Sequence, residues 1–390
     1  TRVLGVVVSM PAPLRGSTPE TVRAVLDAAD PLPGASDRGP SDMGGFGGCV
    51  DDQLVRDVLG RQPVYSERDA VDPTAEDAWA FSPGQLDDPV VVPPGGVRTA
   101  DGDSQRLTLP DPPVDDPPSA QTAVSEALTG ALGVKNDIAS IDIAVAFSGG
   151  VDSALVAAGL PDAPLYVIGF EGSHDIAAAR EAAAAMDRGD DLTVIELDHE
   201  TLRGAVPRVA AATGRTNPMD VSIALPLVLV AERVHEDGYG RLALGQGADE
   251  LFGGYSKVVE PAADHRIEAE TVRGAVSETI TTLPEQLERD VCGLQAVGVE
   301  PVTPFLQDRV VDAALRLPGE LLASDTERKI ALRAFARQAG VVPESVASTD
   351  KKAVQYGSYV SRELDRLARQ AGYKRRMDDH VGQYIRSLLA

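Results

Sequence analysis

The segment Ala146–Ser153 (the phosphate loop), with the sequence AFSGGVDS, constrains this chain more than any other part of it. It follows the apolar run IAVAFS, which predicts a buried strand, and it leads into SALVAAGL, which predicts a helix. Backbone N–H groups of a glycine turn, hydroxyl groups and a helix N-terminus together suit an anion such as phosphate. Asp152 fits in such a loop when Mg²⁺ accompanies the phosphates, because Mg²⁺ prefers carboxylate and phosphate oxygens. The Gly-Lys-Ser/Thr ending of a Walker loop does not follow, so a different kind of nucleotide site is predicted.

The sequence around the phosphate loop alternates between strand and helix patterns. Strands are predicted at LYVIGF, LTVIEL and RLALG, and helices at TAVSEALTGALG, at Asp175–Met186 and at IALPLVLVAERVHEDG. Such alternation is typical of an α/β fold, in which helices cover both faces of a parallel sheet. After about residue 260 the pattern becomes mostly helical.

The N-terminal part has a different pattern. Short apolar stretches, VLGVVV, LVRDVLG and PVVVPPGGV, are separated by turn residues, which predicts a small β-rich domain with few helices. The proline- and acid-rich residues 106–120 predict a semi-rigid, solvated linker. We therefore expect a first domain at residues 1–105 and an α/β domain at residues 121–390.

Composition narrows the classes of function. The formal net charge is −24, and only six of the 36 basic residues are lysines. Acid excess with few lysines resembles the composition of proteins from salt-loving archaea, where strong salt screens self-repulsion. An acidic surface argues against nucleic-acid partners. Cys49 and Cys292 form no CxxC pair, which fits a reducing cytoplasm. The sequence contains no run of about 18 apolar residues, so no membrane span is predicted. Whether the chain forms a homodimer is left open.

Five segments, in this order, resemble the asparagine synthetase family: SGGVDS, VIGFEGSHDIAAAREAA, GQGADELFGGY, GVEPVTPFL and VPESVASTDKKAVQYGS. They cover residues 120 to about 360. The resemblance implies an ATP-pyrophosphatase domain with an adenine nucleotide alpha hydrolase-like sheet. It also implies that ATP adenylates a carboxylate, that pyrophosphate leaves, and that ammonia or another amine attacks the acyl-adenylate to form an amide. The expected cofactors are ATP and Mg²⁺, and the expected partners are small carboxylates and amines.

The resemblance also implies roles for individual residues. The expected magnesium ligands are Asp152 and Asp249, each giving one carboxylate. The expected pyrophosphate contacts come from Ser148, Gly149, Gly150 and Ser153. The expected adenine contacts come from Ile168, Gly169 and Phe170, although Phe170 equally suits simple core packing. The remaining nucleotide contacts are expected at Gly245 and Gly247, which let the backbone approach closely.

Lysine is scarce in this chain, so the few lysines in the resembling segments are informative. Lys351 matches the family's essential lysine best, and Lys352 takes that role if the register shifts by one residue. Lys329 matches another lysine near the phosphates, with a helix-surface charge as the equal alternative. Arg289 and Asp290 match an active-site helix and are expected either to orient the nucleophile or to form a structural ion pair.

Two departures from the family concern the substrates. Gln246 stands where asparagine synthetases usually carry a glutamate, and an amide can hydrogen-bond but cannot act as a base. The segment TNPMDVSIALPL carries Ser222 where an arginine is usual, so Asn217, Asp220 and Ser222 are expected to line a different substrate pocket. A helix N-cap is the alternative role for Ser222.

The N-terminal part resembles a shortened glutaminase domain. The segment FGGCVDDQLVRDVLGRQPVYSE resembles the last third of that domain, and RGPSD at residues 38–42 weakly resembles an earlier element. Thr1 occupies the position of the family's catalytic cysteine, and the glutamine-binding pieces are not visible. We expect a degenerate domain without glutaminase activity that braces the second domain. Thr1 as a nucleophile is the alternative, and Cys49 is expected to be buried.

Three classes of function follow. The first is an amide-forming ligase that uses ATP and free ammonia or another amine. The second is an ATP-pyrophosphatase that modifies a tRNA or a cofactor, for which the basic YKRR segment at residues 373–376 is the slender support. The third is a non-catalytic nucleotide-binding or regulatory homologue.

Overall fold

The computed structural model describes residues 13–35, 44–133, 142–349, 354–376 and 378–389. Its N-terminal part consists mainly of short strands. Up to residue 105 the elements are β1 (Leu14–Arg15), α1 (Pro19–Ala28), β2 (Gly47–Val50), β3 (Gln53–Arg56), β4 (Tyr65–Glu67), β5 (Trp79–Ala80), β6 (Pro89–Val91), β7 (Gly96–Thr99) and β8 (Gly102–Gln105).

The C-terminal part alternates strands and helices and becomes helical near its end. Its first elements are α2 (Pro117–Ala131), β9 (Ile143–Ala146), α3 (Val151–Gly159), β10 (Leu165–Phe170), α4 (His174–Ala185), β11 (Leu192–Leu197), α5 (His199–Thr213), α6 (Pro218–Glu236), β12 (Arg241–Ala243), α7 (Ala248–Phe252), α8 (Val272–Ile280), α9 (Leu283–Gln295) and β13 (Glu300–Val302). Its remaining elements are α10 (Asp308–Leu315), α11 (Gly319–Leu322), α12 (Ile330–Ala339), α13 (Glu344–Ala347), α14 (Val354–Gly357), α15 (Val360–Gln370) and α16 (His380–Leu389).

Five parallel strands form the central sheet in the order β11–β10–β9–β12–β13. From β9 the chain moves outward to β10 and β11, and it then crosses back to place β12 on the other side of β9. A reversal of this kind leaves a crevice at the carboxyl ends of the strands on its two sides. The sheet order therefore predicts a binding crevice where β9 and β12 end.

Both faces of the central sheet are covered by helices, and each face has its own apolar core. Because side chains alternate along a strand, Val145 of β9 enters the core beneath α3 and α4, whereas Ala144 enters the core beneath α5 and α6. In β10, Leu165 likewise enters the first of these cores and Tyr166 enters the second. The predicted α/β fold is confirmed.

Most of the predicted elements of the C-terminal part are present. The strands LYVIGF and LTVIEL coincide with β10 and β11, and the long alanine-rich helix is α4. Helix α5 and strand β13 were not predicted. Pro207 lies inside α5 and Pro301 inside β13, and proline weakens the sequence signal of both kinds of element. No helix in the described part of the chain has the length and apolar character needed to cross a membrane.

The N-terminal strands form two antiparallel sheets, which confirms the predicted β-rich region. One sheet has the order β1–β2–β3–β7–β8 and the other the order β5–β4–β6. Helix α1 begins after Thr18, whose side-chain oxygen accepts from the N–H of Thr21, and it buries Val22 and Val25. Within the predicted linker, Leu107 is buried in the main core and α2 already begins at Pro117.

A buried ionic cluster joins the N-terminal sheets to the C-terminal part. Arg61 donates to Asp57 over 2.8 Å, to Asp308 over 2.6 Å and to the carbonyl of Leu306 over 2.7 Å. The other oxygen of Asp308 accepts from the backbone N–H of Gly34 over 2.9 Å. All three charged side chains are almost fully buried. Two carboxylates therefore share one guanidinium, and losing that cation would leave both without a countercharge.

We expect the substitution Arg61→Met to lower the free energy of unfolding by about 3–5 kcal/mol, because it leaves buried carboxylates uncompensated. Arg23→Met is the matched control, since it removes an exposed arginine that pairs with Asp51 over 2.6 Å and should cost about 1 kcal/mol or less. Urea denaturation of both variants at one salt concentration measures the difference. Equal losses would show that the buried cluster does not hold the two parts together.

Candidate active site

The loops after β9 and β12 meet at the carboxyl edge of the central sheet. Residues Arg241–Ala243 of β12 pair directly with residues 143–145 of β9, so the phosphate loop and the glycine–acid segment (Gly245–Tyr255) leave the sheet side by side. A Cβ added at Gly245 would lie 2.9 Å from the Cβ of Asp152. Glycine at this position therefore allows the two loops to touch.

The phosphate loop has the geometry of an anion site. Gly149 has φ of +77°, and an added Cβ would lie 2.5 Å from the backbone of Ala178, so only glycine fits there. The hydroxyls of Ser148 and Ser153 lie 3.1 Å apart across the turn, and Ser153 also accepts from the N–H of Ser148 over 3.2 Å. Gly150 is the N-cap of the nine-residue helix α3. The loop thus places N–H groups, hydroxyls and a helix N-terminus together.

Lys329 lies between the two predicted magnesium ligands. Its Nζ atom is 2.6 Å from an oxygen of Asp152 and 2.7 Å from an oxygen of Asp249. Burial works against its charge, but the two carboxylates outweigh burial and raise the pKa of Lys329 above its ordinary value. The ammonium is therefore charged at neutral pH and holds two loops together.

The backbone at Lys329 explains how the ammonium reaches this position. Lys329 precedes α12 and adopts φ of +58°, a left-handed conformation that is uncommon for a residue with a side chain. The neighbouring Arg328 donates to the carbonyl of Gly254 over 2.8 Å, which anchors this turn to the glycine–acid segment. Lys329 is buried, so the helix-surface alternative for this lysine is wrong.

Asp152 and Asp249 suit a divalent cation shared with phosphates. Their oxygens converge on one cationic atom, and Mg²⁺ in nucleotide sites is bound by one or two carboxylates together with phosphate oxygens. The described residues contain no group of three or more His, Cys, Asp or Glu side chains that could hold a metal alone. The donor set therefore fits a metal that arrives with a nucleotide.

The predicted adenine segment ends β10, one strand away from the phosphate loop. Ile168 and Phe170 are buried in the second core. The ring of Phe170 lies 5.6 Å from that of His199, and its backbone N–H donates to the carbonyl of Ser358 over 3.1 Å. Gly169 packs against Ser173, whose buried hydroxyl has no hydrogen-bond partner in the part of the chain that the structure describes. Core packing is thus evident for Phe170, and adenine binding by this segment stays a prediction.

Gln246 and Asp290 are brought together by α9. The Gln246 Nε2 atom donates to Asp290 over 2.6 Å, and Asp290 accepts from Arg289 over 2.7 and 3.0 Å. Arg289 in turn donates to Asp220 over 3.0 Å. Burial opposes the charge on Arg289, but Asp290 and Asp220 raise its pKa above the ordinary value. Arg289 and Asp290 form an ion pair, as one of the two alternatives predicted, and the pair also contacts the glycine–acid segment.

The three predicted pocket residues lie at the start of α6. Asn217 is the N-cap, accepting from the N–H of Asp220 over 2.9 Å, so the N-cap alternative for Ser222 is wrong. Ser222 is buried and donates to the carbonyl of Met219. Asp220 is half-buried and is held by Asn217 and Arg289. Substrate binding by these residues stays a prediction.

Glu288, next to this cluster, was not predicted from the sequence. Glu288 accepts from Arg56 over 2.8 Å and from Arg215 over 2.9 Å, and so it connects the N-terminal sheet to the start of α6. The sequence signal that could have identified Glu288 is its position directly before Arg289 and Asp290 on α9.

Several predicted residues lie outside the described residues, namely Lys351, Lys352, Thr1 and the RGPSD element. The two cysteines are described. Cys49 is half-buried rather than buried, and burial raises its pKa, while burial raises the pKa of Cys292 to about 11. Thiols with raised pKa values are poor nucleophiles at neutral pH.

Comparison with known proteins gives a consistent family. The sequence model of the family described as asparagine synthase matches residues 124–279 and 263–385. A Methanocaldococcus jannaschii protein named as an asparagine synthetase (glutamine-hydrolyzing) is 30% identical over 284 residues, which cover 64% of this chain and 52% of that protein. The Escherichia coli asparagine synthetase B (glutamine-hydrolyzing) is 25% identical over 206 residues, which cover 47% of this chain and 36% of that protein. The chain spans about half the length, or less, of the curated relatives it matches.

We expect Lys329→Met to bind Mn²⁺ at least about tenfold more tightly than the unchanged chain when no nucleotide is present. The reason is that the ammonium and the metal compete for the same two carboxylates. In metal-free buffer the variant should lose about 1–3 kcal/mol of stability, which Mn²⁺ should restore. Electron paramagnetic resonance of free Mn²⁺ and thermal unfolding measure the two effects.

Lys374→Met, which removes an exposed lysine, is the control and should change neither quantity. If Lys329→Met binds Mn²⁺ no better than this control, Asp152 and Asp249 do not form a cation site.

Proposed function

This chain belongs to the asparagine synthase family, and we propose that it uses ATP to activate a carboxylate and then joins that carboxylate to an amine. The observation that carries the proposal is the convergence of Asp152 and Asp249 on one cation, beside a loop shaped for phosphate. The two acids come from segments almost a hundred residues apart, and the sheet order brings them together. A nucleoside triphosphate with its metal is the ligand that would use both the paired acids and the phosphate loop.

The proposed reaction has two steps. In the first, a carboxylate oxygen attacks the α-phosphorus of ATP, and the bond to the β-phosphate breaks with its electron pair on pyrophosphate. In the second, the amine nitrogen attacks the acyl carbon, the bond to AMP breaks, and the nitrogen loses a proton. The reaction thus yields an amide, AMP and pyrophosphate.

The residues of the phosphate loop suit the first step. Pyrophosphate leaves with several negative charges, and N–H groups fixed in position stabilise such charge strongly in a site shielded from water. Asp152 and Asp249 would hold Mg²⁺, which neutralises phosphate charge when bound. Lys329, whose ammonium lies beside both carboxylates, would pair with phosphate oxygens once a metal holds Asp152 and Asp249. Lys351, with Lys352 as its alternative, is proposed as the second cation.

We propose ammonia or another small amine, rather than glutamine, as the nitrogen source. Only three residues separate the RGPSD element from the FGGC segment, so the glutamine-binding part of a glutaminase domain has no room between them. The N-terminal region, residues 1–105, is then a bracing domain, joined by residues 106–120 to a synthetase domain at residues 121–390. The buried cluster around Arg61 supports this role.

Neither a tRNA- or cofactor-modifying ATP-pyrophosphatase nor a non-catalytic homologue gains specific support from the described contacts. In the basic segment at residues 373–376, Arg375 pairs with Asp365 over 2.7 Å, so its charge is compensated within the chain. A non-catalytic homologue that binds a nucleotide would use the same two acids and buried lysine, so pyrophosphate exchange is the measurement that separates it from the ligase.

We expect the protein to exchange radioactive pyrophosphate into ATP when Mg²⁺ and a suitable carboxylate are present, because adenylation is reversible. Asp152→Asn should lower the exchange rate by about 100-fold or more, since it removes a carboxylate that would hold Mg²⁺ against the phosphates. The control Asp162→Asn changes an exposed acid near the end of α3 and should have no effect.

A panel of carboxylates, aspartate included, should be assayed at several salt concentrations. No exchange with any carboxylate would contradict the ligase and favour a binding protein. Amide formation driven by glutamine as well as by ammonium would contradict the proposed nitrogen source alone.

A further inference from the structure

The Gln246 side chain carries a polar atom that no other described residue contacts by a hydrogen bond. Its Nε2 atom donates to Asp290 over 2.6 Å, while its Oε1 atom is buried and has no hydrogen-bond partner among the described residues. A buried acceptor without a donor is destabilising. Such a cost at a loop that also carries Asp249 is expected where a ligand supplies the missing donor.

Asp290 fixes which end of the Gln246 amide faces the ligand. A carboxylate that carries no proton can only accept, so it selects the NH₂ group of the amide and turns the carbonyl away. Arg289 donates to both oxygens of Asp290, and Asp220 holds Arg289 from the other side. The orientation of Gln246 is therefore set by charged groups rather than by its own rotamer preference.

The missing donor belongs to the attacking amine better than to the other substrates. Ionised carboxylates and phosphates offer only acceptors. The adenine amino group and the ribose hydroxyls are also donors, but the predicted adenine segment lies at the end of β10, on the far side of β9 from β12. An amine presents N–H groups, and Gln246 directly follows the glycine that touches Asp152, so it lies next to the expected acyl-adenylate.

We propose that the Gln246 carbonyl oxygen accepts an N–H of the incoming amine, and that Asp290 is the positioning residue that aims this oxygen. The inference rests on the proposed ligase function and concerns only its second step. The oxygen is enclosed in the ligand-free chain, so the amine reaches it when the segment 245–247 shifts, and the glycines on both sides of Gln246 permit such a shift. Because an amide does not titrate in this range, Gln246 binds the amine without taking its proton.

The test separates the two steps of the reaction. Gln246→Met keeps the length of the side chain but removes the acceptor. We expect its KM for ammonium to rise at least about tenfold, equivalent to about 1.4 kcal/mol of lost binding, while pyrophosphate exchange falls by far less. Gln383→Met, which removes an amide on α16 that donates to the carbonyl of Asp378, is the control and should change neither the KM for ammonium nor pyrophosphate exchange.

Two further variants distinguish positioning from simple structural support. Gln246→Glu keeps an acceptor at the same place, so its KM for ammonium should stay near that of the unchanged chain. Asp290→Asn should raise the KM for ammonium, because an amide at 290 no longer selects the orientation of Gln246.

Two outcomes would contradict the proposed amine contact and leave the proposed ligase function standing. An unchanged KM for ammonium in Gln246→Met would exclude the proposed contact. An equal loss of exchange and of amide formation would assign Gln246 to the nucleotide instead. Absence of exchange in the unchanged chain would contradict the proposed function itself, and that outcome is distinct from both.

Discussion

The position of β9 between β10 and β12 is the constraint on which the rest of this molecule depends. Parallel strands leave their loops at one edge, and the reversal of chain direction across β9 opens a crevice there. The phosphate loop follows β9, the predicted adenine segment ends β10, and the glycine–acid segment follows β12. The strand order thus brings three separate segments of the chain to one candidate site.

Ion pairs between buried cations and carboxylates then hold these segments together when no ligand is present. Lys329 joins Asp152 to Asp249, while Arg289 joins Asp290 to Asp220. In both places one buried cation lies between two carboxylates, so the cation offsets part of the acid charge around it. At the proposed ATP site this partial compensation matters, because uncompensated acids would repel phosphates and uncompensated cations would be costly to bury.

The sequence predicted the parts of the fold that depend on local patterns. The apolar runs of β10 and β11, the glycine turn after β9 and the long helix α4 all have unbroken signals within a few residues. Helix α5 and strand β13 contain prolines that obscure them. The resemblance indicated that Lys329 lies near the phosphates, but its contacts with Asp152 and Asp249 could not be predicted from local patterns, because they depend on a left-handed turn and on two loops distant in sequence. The same holds for Glu288, whose two partners, Arg56 and Arg215, come from different regions of the chain.

Glu288 also shows why the two parts of the chain are not modules that can be exchanged freely. Its two oxygens are occupied by guanidinium groups from opposite sides, Arg56 of the N-terminal sheet and Arg215 next to α6. A different N-terminal domain would have to supply its own cation at this point. Substitutions at Glu288, Arg56 and Arg215 are therefore expected to be tolerated only in combination.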